Sequence, residues 1–387
     1  MGNGGKLKIA MLGHKRIPGR EGGVEVVVEE LATRMAALGH SVTCYNRGGH
    51  HAAGKEFDVP RAKEYKGVRL KSVPTINGRG LAAMSASVTG ALGAAFGAYD
   101  VVHFHAEGPA LMCWLPKLAG KRVVVTIHGL DHRRAKWGKL ASAYIMLGEK
   151  SAVRFADEII VLSKDAQRYF QDRYGRDTVL IPNGVSRPRR RAACLIAERF
   201  GLKKGSYILY LGRLVPEKGV KYLIEAFKEV RTEKRLVIAG GNSDADGFFQ
   251  ELKQLAADDS RILFTGFVQG QMLEELYSNS YLYCLPSDLE GMPLGLLEAM
   301  SYGNCCLVSD ISECTDLTGD RAVTFRRGDS AQLAQKLQML CERPEMVEHY
   351  AGGSADFICE RYDWDKIVER TLRVYREKER YADFVGQ

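Results

Sequence analysis

Nine residues, EGMPLGLLE from Glu290 to Glu298, place carboxylates on both sides of a helix start. Pro293 suits the first helical turn, where its missing N–H costs nothing. Leu294, Leu296, Leu297, Ala299 and Met300 then continue as a buried helical segment. Glu290 falls in the preceding loop. Glu298 lies about five residues into the helix, ~7.5 Å along its axis, with a side chain that leans back toward the N-terminal end. Free N–H groups and the macrodipole make such an end an anion site. A bound anion repels neighbouring carboxylates, so the two acids would instead accept hydrogen bonds from hydroxyls on either side of it. A ligand with an anion between two polyhydroxyl groups is a nucleotide diphosphate sugar. The plainer alternative is one loop acid and one helix-face acid that share no ligand.

Other positions could join that chemistry. GRLVPEKG (212–219) directly follows the apolar run YILYLG, so Arg213 and Lys218 could hold a diphosphate, the first through a planar fork and the second as a compact charge. EGG (21–23) offers Gly22 and Gly23 for close backbone approach to a ligand. It is not GxGxxG, which removes support for a nicotinamide or flavin fingerprint. HFH (103–105) and TIHGLD (126–131) end two more apolar runs. His128 stands at a strand end suited to a ligand, whereas His103 and His105 read equally as structural histidines. No carboxylate-rich set accompanies them, so a metal site is weakly supported. GGN (240–242) and GFV (266–268) supply Gly240, Phe267 and Val268, whose backbone could read a base edge. Each of these also has an ordinary structural explanation as a surface loop or turn.

The elements that must carry these residues alternate strand and helix. KIAMLG, HSVTCYN, RLKSVP, DVVHFH, RVVVTIHG, DEIIVLS and DTVLIPN are short apolar runs separated by helical stretches. Continuous apolar strands of this kind imply a parallel sheet covered on both faces. The rhythm breaks at the Pro- and Arg-rich NGVSRPRRR (183–191) and restarts with YILYLG, RLVIAGG, RILFTGF, YLYCLPS, CCLVSD and AVTF. We therefore expect an α/β chain of two Rossmann-like, doubly wound domains facing across a cleft, spanning 1–183 and 204–362, with a linker at 184–203. The stretch 362–381 reads as a charged amphipathic helix, placed with the first domain over about 363–387. Ligands bind beyond the carboxyl ends of such strands, where the candidate residues lie.

Composition narrows the class. The 387 residues are 45% hydrophobic and 26% charged, as in globular proteins. GNGGKLKIA runs straight into a strand, so no signal peptide is expected. The closest approach to a membrane span, LAAMSASVTGALGAAFGA (81–98), is too rich in Gly, Ala and Ser and suits a packed helix better. Nine scattered cysteines without CxxC spacing point to a reduced, cytoplasmic setting. The net charge of +8 is uneven: residues 1–183 hold 27 Lys and Arg against 16 Asp and Glu, and residues 184–387 hold 28 against 31. The basic half could face an anionic substrate or membrane. Nucleic-acid motifs are absent, so nucleic acid is not expected as a partner.

GRLVPEKG, the acid pair with seven intervening residues, the early Gly-rich loop and TIHGLD together resemble the retaining GT-B glycosyltransferases of family 4 (glycosyl transferases group 1). The resemblance covers residues 6 to about 380 in order. The segment GHKRIPGREGGVEVVVEELA is also similar to the start of some rhamnosyltransferases of that group. The resemblance implies that Arg213 and Lys218 contact the donor diphosphate, Glu290 the hydroxyls of the transferred sugar, and Glu298 the nucleotide ribose. Gly291, Met292, Pro293 and Leu294 would complete the donor site through backbone amides, Pro293 having none to give. His128, Gly22 and Gly23 would lie near the sugar, and the last helix would cross back onto the first domain.

On this reading the chain transfers a sugar from a nucleotide diphosphate donor, UDP by preference, to a hydroxyl of a glycan or lipid-linked glycan in cell-surface polysaccharide synthesis. No cofactor or metal is expected. The enzyme would be cytoplasmic and peripheral at the inner face of the membrane, drawn to anionic lipid by its basic half. A GT-B-like sugar-nucleotide epimerase, a phosphorylase and a non-catalytic nucleotide-sugar-binding module are the alternatives. Turnover of donor alone, phosphate dependence, and tight binding without turnover would distinguish them. Acceptor recognition is placed in loops 47–66 and 131–140.

Overall fold

The computed structural model describes residues 5–49, 54, 57, 62–76, 78, 80–130, 139–241 and 246–376. The chain divides into two compact units, Met1–Asn183 with Trp364–Gln387, and Gly184–Asp363.

The first unit holds an eight-stranded sheet. Its strands are β1 (Lys8–Leu12), β2 (Ser41–Arg47), β3 (Glu64–Tyr65), β4 (Val68–Val73), β5 (Val101–His105), β6 (Arg122–Ile127), β7 (Glu158–Val161) and β8 (Val179–Leu180). They lie in the order β3-β4-β2-β1-β5-β6-β7-β8. Helices α1 (Gly23–Ala37), α2 (Leu81–Ala95), α3 (Glu107–Ala110), α4 (Trp114–Leu118), α5 (Lys139–Phe155) and α6 (Lys164–Tyr174) connect them. Apolar runs such as VVHFH are buried at every position, because helices cover the sheet from both sides.

One pairing escapes the all-parallel expectation. β3 and β4 run antiparallel. Lys66 and Gly67, at φ 46° and 80°, close them in a tight hairpin turn. The KG dipeptide carried the signal, but a two-residue strand is too short for periodicity to reveal.

The second unit begins with α7 (Leu195–Phe200) and builds a six-stranded sheet: β9 (Tyr207–Leu211), β10 (Arg235–Ala239), β11 (Ile262–Gly266), β12 (Leu282–Leu285), β13 (Cys306–Ser309) and β14 (Val323–Phe325). The order is β11-β10-β9-β12-β13-β14, parallel throughout. Its helices are α8 (Val220–Lys228), α9 (Asp246–Leu255), α10 (Gly270–Asn279), α11 (Leu294–Ser301), α12 (Ser312–Thr318), α13 (Ser330–Glu342), α14 (Pro344–Ala351) and α15 (Ser354–Arg361). Residues 184–203 join this unit through buried Val185, Ile196 and Leu202.

α16 (Trp364–Arg376) belongs to the first unit, as the resemblance implies. It buries Trp364, Ile367, Val368, Leu372 and Tyr375 along one face. Arg370 donates to the Leu180 carbonyl and Arg122 to the Val374 carbonyl.

Each sheet reverses its winding beside its first strand. The chain leaves β1 toward β2 and β4, then returns to the other side of β1 with β5. It leaves β9 toward β10 and β11, then returns with β12. Loops diverge at such reversals, and the carboxyl ends of the strands there open a crevice.

Candidate functional site

In the second unit the reversal between β9 and β12 brings two loops together. The loop after β9 runs through Arg213 into a single 3₁₀ turn over Pro216–Lys218. The loop after β12 runs through Ser287 and Glu290 into α11. Gly219 joins them, with φ +66° and an ideal Cβ position 1.9 Å from the Pro286 carbonyl oxygen. The Asp288 N–H donates to the Glu217 carbonyl at 2.9 Å.

Their side chains then meet. Lys218 Nζ lies 2.6 Å from Oε1 and 2.7 Å from Oε2 of Glu290. The Ser287 hydroxyl donates to Glu290 Oε1 at 2.7 Å. Arg213 is half-buried and makes no side-chain hydrogen bond or ion pair among the described residues. Its loop is pinned by the buried Tyr210, whose hydroxyl donates to the Arg213 carbonyl at 2.9 Å. The Lys218–Glu290 pair is close to neutral, and Arg213 shares these two loops with the carboxylates Glu217 and Asp288. An ammonium has three N–H donors, and Glu290 accounts for two contacts, leaving capacity for a ligand oxygen.

Pro293 occupies the N-cap position of α11, not its first turn. Its ψ of 101° is extended, and the helix proper begins at Leu294. Its carbonyl still accepts from Leu296 and Leu297 N–H, as an N-cap carbonyl should. Glu298 is half-buried one turn in, and its Oε2 accepts from the Tyr277 hydroxyl at 3.1 Å. Tyr277 stacks on Tyr302 with centroids 5.3 Å apart, which fixes that hydroxyl. Met292 and Leu294 pack against the core, with Pro293 between them and Gly291 just before.

Gly240 directly follows β10, and its ideal Cβ would lie 1.9 Å from the Gly212 carbonyl oxygen. Phe267 and Val268 follow β11, both half-buried. Asn242 and the other tip residues of that loop, 242–245, lie outside the described residues.

In the first unit, Gly22 is the N-cap of α1 and Gly23 its first residue. Glu25 holds that turn by accepting from the Lys15 N–H at 2.8 Å. His103 is a satisfied structural histidine, with Nδ1 2.6 Å from the Tyr375 hydroxyl and Nε2 2.7 Å from Thr126 Oγ1. His105 Nδ1 lies 3.0 Å from His128 Nε2. His128 follows β6 directly, while Asp131 and residues to 138 lie outside the described residues. The acceptor loops assigned from sequence fall partly there and partly at 50–61, also largely outside.

Sequence reasoning passed over two residues here. His14, just after β1, has Nε2 3.0 Å from Asn46 Oδ1. Arg47, at the end of β2, is half-buried near Glu25 and Glu21. His14 Nδ1, His105 Nε2 and Arg47 Nε are buried without hydrogen-bond partners among the described residues. His14 is brought in by the β1/β5 reversal, a relationship visible only once the strand order is known. Burial lowers the His14 pKa to about 4 and that of His103 to about 3, and holds His105 well below its usual value. These imidazoles are neutral near pH 7. Groups of three or more His, Cys, Asp or Glu side chains able to hold a metal do not occur among the described residues.

Residues 21–189 match the family described as Glycosyltransferase Family 4, and residues 205–343 match Glycosyl transferases group 1. The chain belongs to the GT-B glycosyltransferases of these families. It is 26% identical over 306 residues to alpha-D-kanosaminyltransferase of Streptomyces kanamyceticus, covering 71% of this chain and 77% of that one. It is 27% identical over 404 residues to D-inositol 3-phosphate glycosyltransferase of Acidothermus cellulolyticus, covering 93% and 86%. The solved structure of HepE from Anabaena, in complex with UDP and glucose, matches with a TM-score of 0.79 at 18% identity, covering 95% and 99%. That likeness shows the shared fold.

Proposed function

We propose that this protein is a retaining, metal-independent glycosyltransferase that takes a sugar from a UDP-sugar and passes it to a hydroxyl of a glycan or lipid-linked glycan in cell-surface polysaccharide synthesis, at an anionic membrane face. The observation that carries the donor reading is the ion pair of Lys218 with Glu290 at the β9/β12 reversal, with Arg213 on the same loop as Lys218 and Glu298 one turn into α11.

Arg213 and the free capacity of Lys218 hold the diphosphate, and the open N–H groups at the start of α11 face it. Glu290 accepts from hydroxyls of the sugar, and Glu298 from the ribose. Gly240, Phe267 and Val268 bound the base. As the bond between the anomeric carbon and the diphosphate breaks, negative charge builds on the leaving phosphate. Pre-placed cations stabilise that change, and removing one such donor costs about 10²–10³ in rate. A phosphate oxygen takes the acceptor proton, and the new C–O bond forms on the face the diphosphate leaves. UDP as donor is supported by the HepE complex and by a carboxylate suited to two ribose hydroxyls.

A thermal-shift series with UDP-, GDP- and dTDP-sugars tests the donor. UDP-sugars should raise the melting temperature most, and Arg213→Ala and Glu290→Ala should abolish most transfer in folded protein. No shift with any nucleotide, or near-normal turnover in both variants, overturns the reading.

A further inference from the structure

Helix α2 is built inside out. The residues it buries are small, Ser87, Gly90, Ala91, Ala94 and Ala95. Its large side chains face solvent: Leu81, Met84, Val88, Leu92 and, just past its end, Phe96, which is 88% exposed. A surface helix ordinarily does the reverse. At 100° per residue these five span an arc of about 120°, over about 22 Å of axis. Ile76 beside its start and Leu118 on the neighbouring α4 extend the patch. Nine large hydrophobic residues are exposed among the described residues, and seven of them are here.

Two cations, Lys71 and Arg69, stand at the border of the patch, Arg69 opposite its cross-strand neighbour Glu64. No residue from 81 to 98 is charged. Lys71 on β4 lies over the rings of Tyr45 and Tyr99, and Tyr45 packs against Gly93 of α2, so Lys71 shares the α2 side of the sheet. Arg69, two residues earlier on the same strand, points the same way. Both are exposed. An isologous contact with a second copy would set these cations against their own counterparts, whereas an anionic lipid surface complements them. No helix among the described residues is long and apolar enough to cross a membrane, so this face could only lie on one.

We propose that α2 is a membrane-docking surface, its apolar stripe entering the interfacial region of an anionic bilayer while Arg69 and Lys71 engage lipid phosphates. This deepens the reading of a lipid-linked acceptor, but its test is separate from the donor site. The full chain is floated with vesicles of phosphatidylcholine alone and of phosphatidylcholine and phosphatidylglycerol in equal parts. Binding should favour the anionic vesicles. Leu92→Asp with Phe96→Asp should lower that binding by about tenfold or more, since each removes buried apolar area. Arg69→Glu with Lys71→Glu should erase the preference for anionic lipid. UDP-sugar binding by calorimetry and the melting temperature should stay as in the parent, which separates a failed docking surface from a failed donor site. Absence of flotation, equal binding to both vesicles, or binding indifferent to the Asp variants overturns the proposal. A concentration-dependent dimer dissolved by those variants would give this face to a second copy instead.

Discussion

Lys218 grips both carboxylate oxygens of Glu290, at 2.6 and 2.7 Å, and the acid is the more buried partner, its side chain 6% exposed against 16% for the lysine. The two ends of the pair should therefore differ when broken. Lys218→Ala strands a buried carboxylate whose one other side-chain partner among the described residues is Ser287, and should destabilise by about 3 kcal/mol or more. Glu290→Gln leaves the cation nearer to water and keeps an acceptor in place, so it should cost clearly less. Urea unfolding of both variants checks the order.

Arg213 offers the opposite case. It has no ion-pair partner among the described residues, so Arg213→Ala should move stability by no more than about 0.5 kcal/mol. Transfer should still fall by about 10²–10³. Parallel melting and turnover measurements test whether the guanidinium serves the ligand and not the fold.

Gly219 sets the spacing of the two donor loops. A methyl there meets the Pro286 carbonyl and also suffers the positive φ. Gly219→Ala should destabilise by more than about 1 kcal/mol and weaken UDP-sugar binding, since Lys218 and Glu290 would part. Calorimetric titration with the donor reads the second effect.

The buried histidines make stability depend on pH. Folded His14 and His103 have pKa values lowered to about 4 and about 3, so the unfolded chain binds protons that the folded chain refuses. Stability is full above the ordinary histidine pKa and is lost as pH falls from about 6.5 toward 4, by on the order of 3 kcal/mol for His14. The melting temperature should decline over that interval, and His14→Asn should flatten the decline.

Much of this was legible in the sequence, because apolar runs and glycine stops announce strands and their ends. All six strands of the second unit fall on runs read beforehand, and Arg213, Lys218, Glu290 and Glu298 lie on the loops and helix assigned to them. What stayed hidden depends on strand order. That Glu290 would be held by Lys218 follows from β12 lying beside β9, with the partners 72 positions apart in sequence. His14 and Arg47 escaped for the same reason, one just after β1 and the other at the end of β2, joined only by the sheet. α2 was read as a packed helix, and it is one, but periodicity could not tell which of its faces would turn inward.

The near-contacts at Gly219 and Gly240 bear on how this enzyme can diverge. Every other amino acid carries a Cβ, and at both places that atom would fall 1.9 Å from a carbonyl oxygen. Neutral drift is therefore closed at the two joints where the strand-end loops touch. New donor preferences must arise through the side chains that those loops display, on a spacing that mutation cannot gradually adjust.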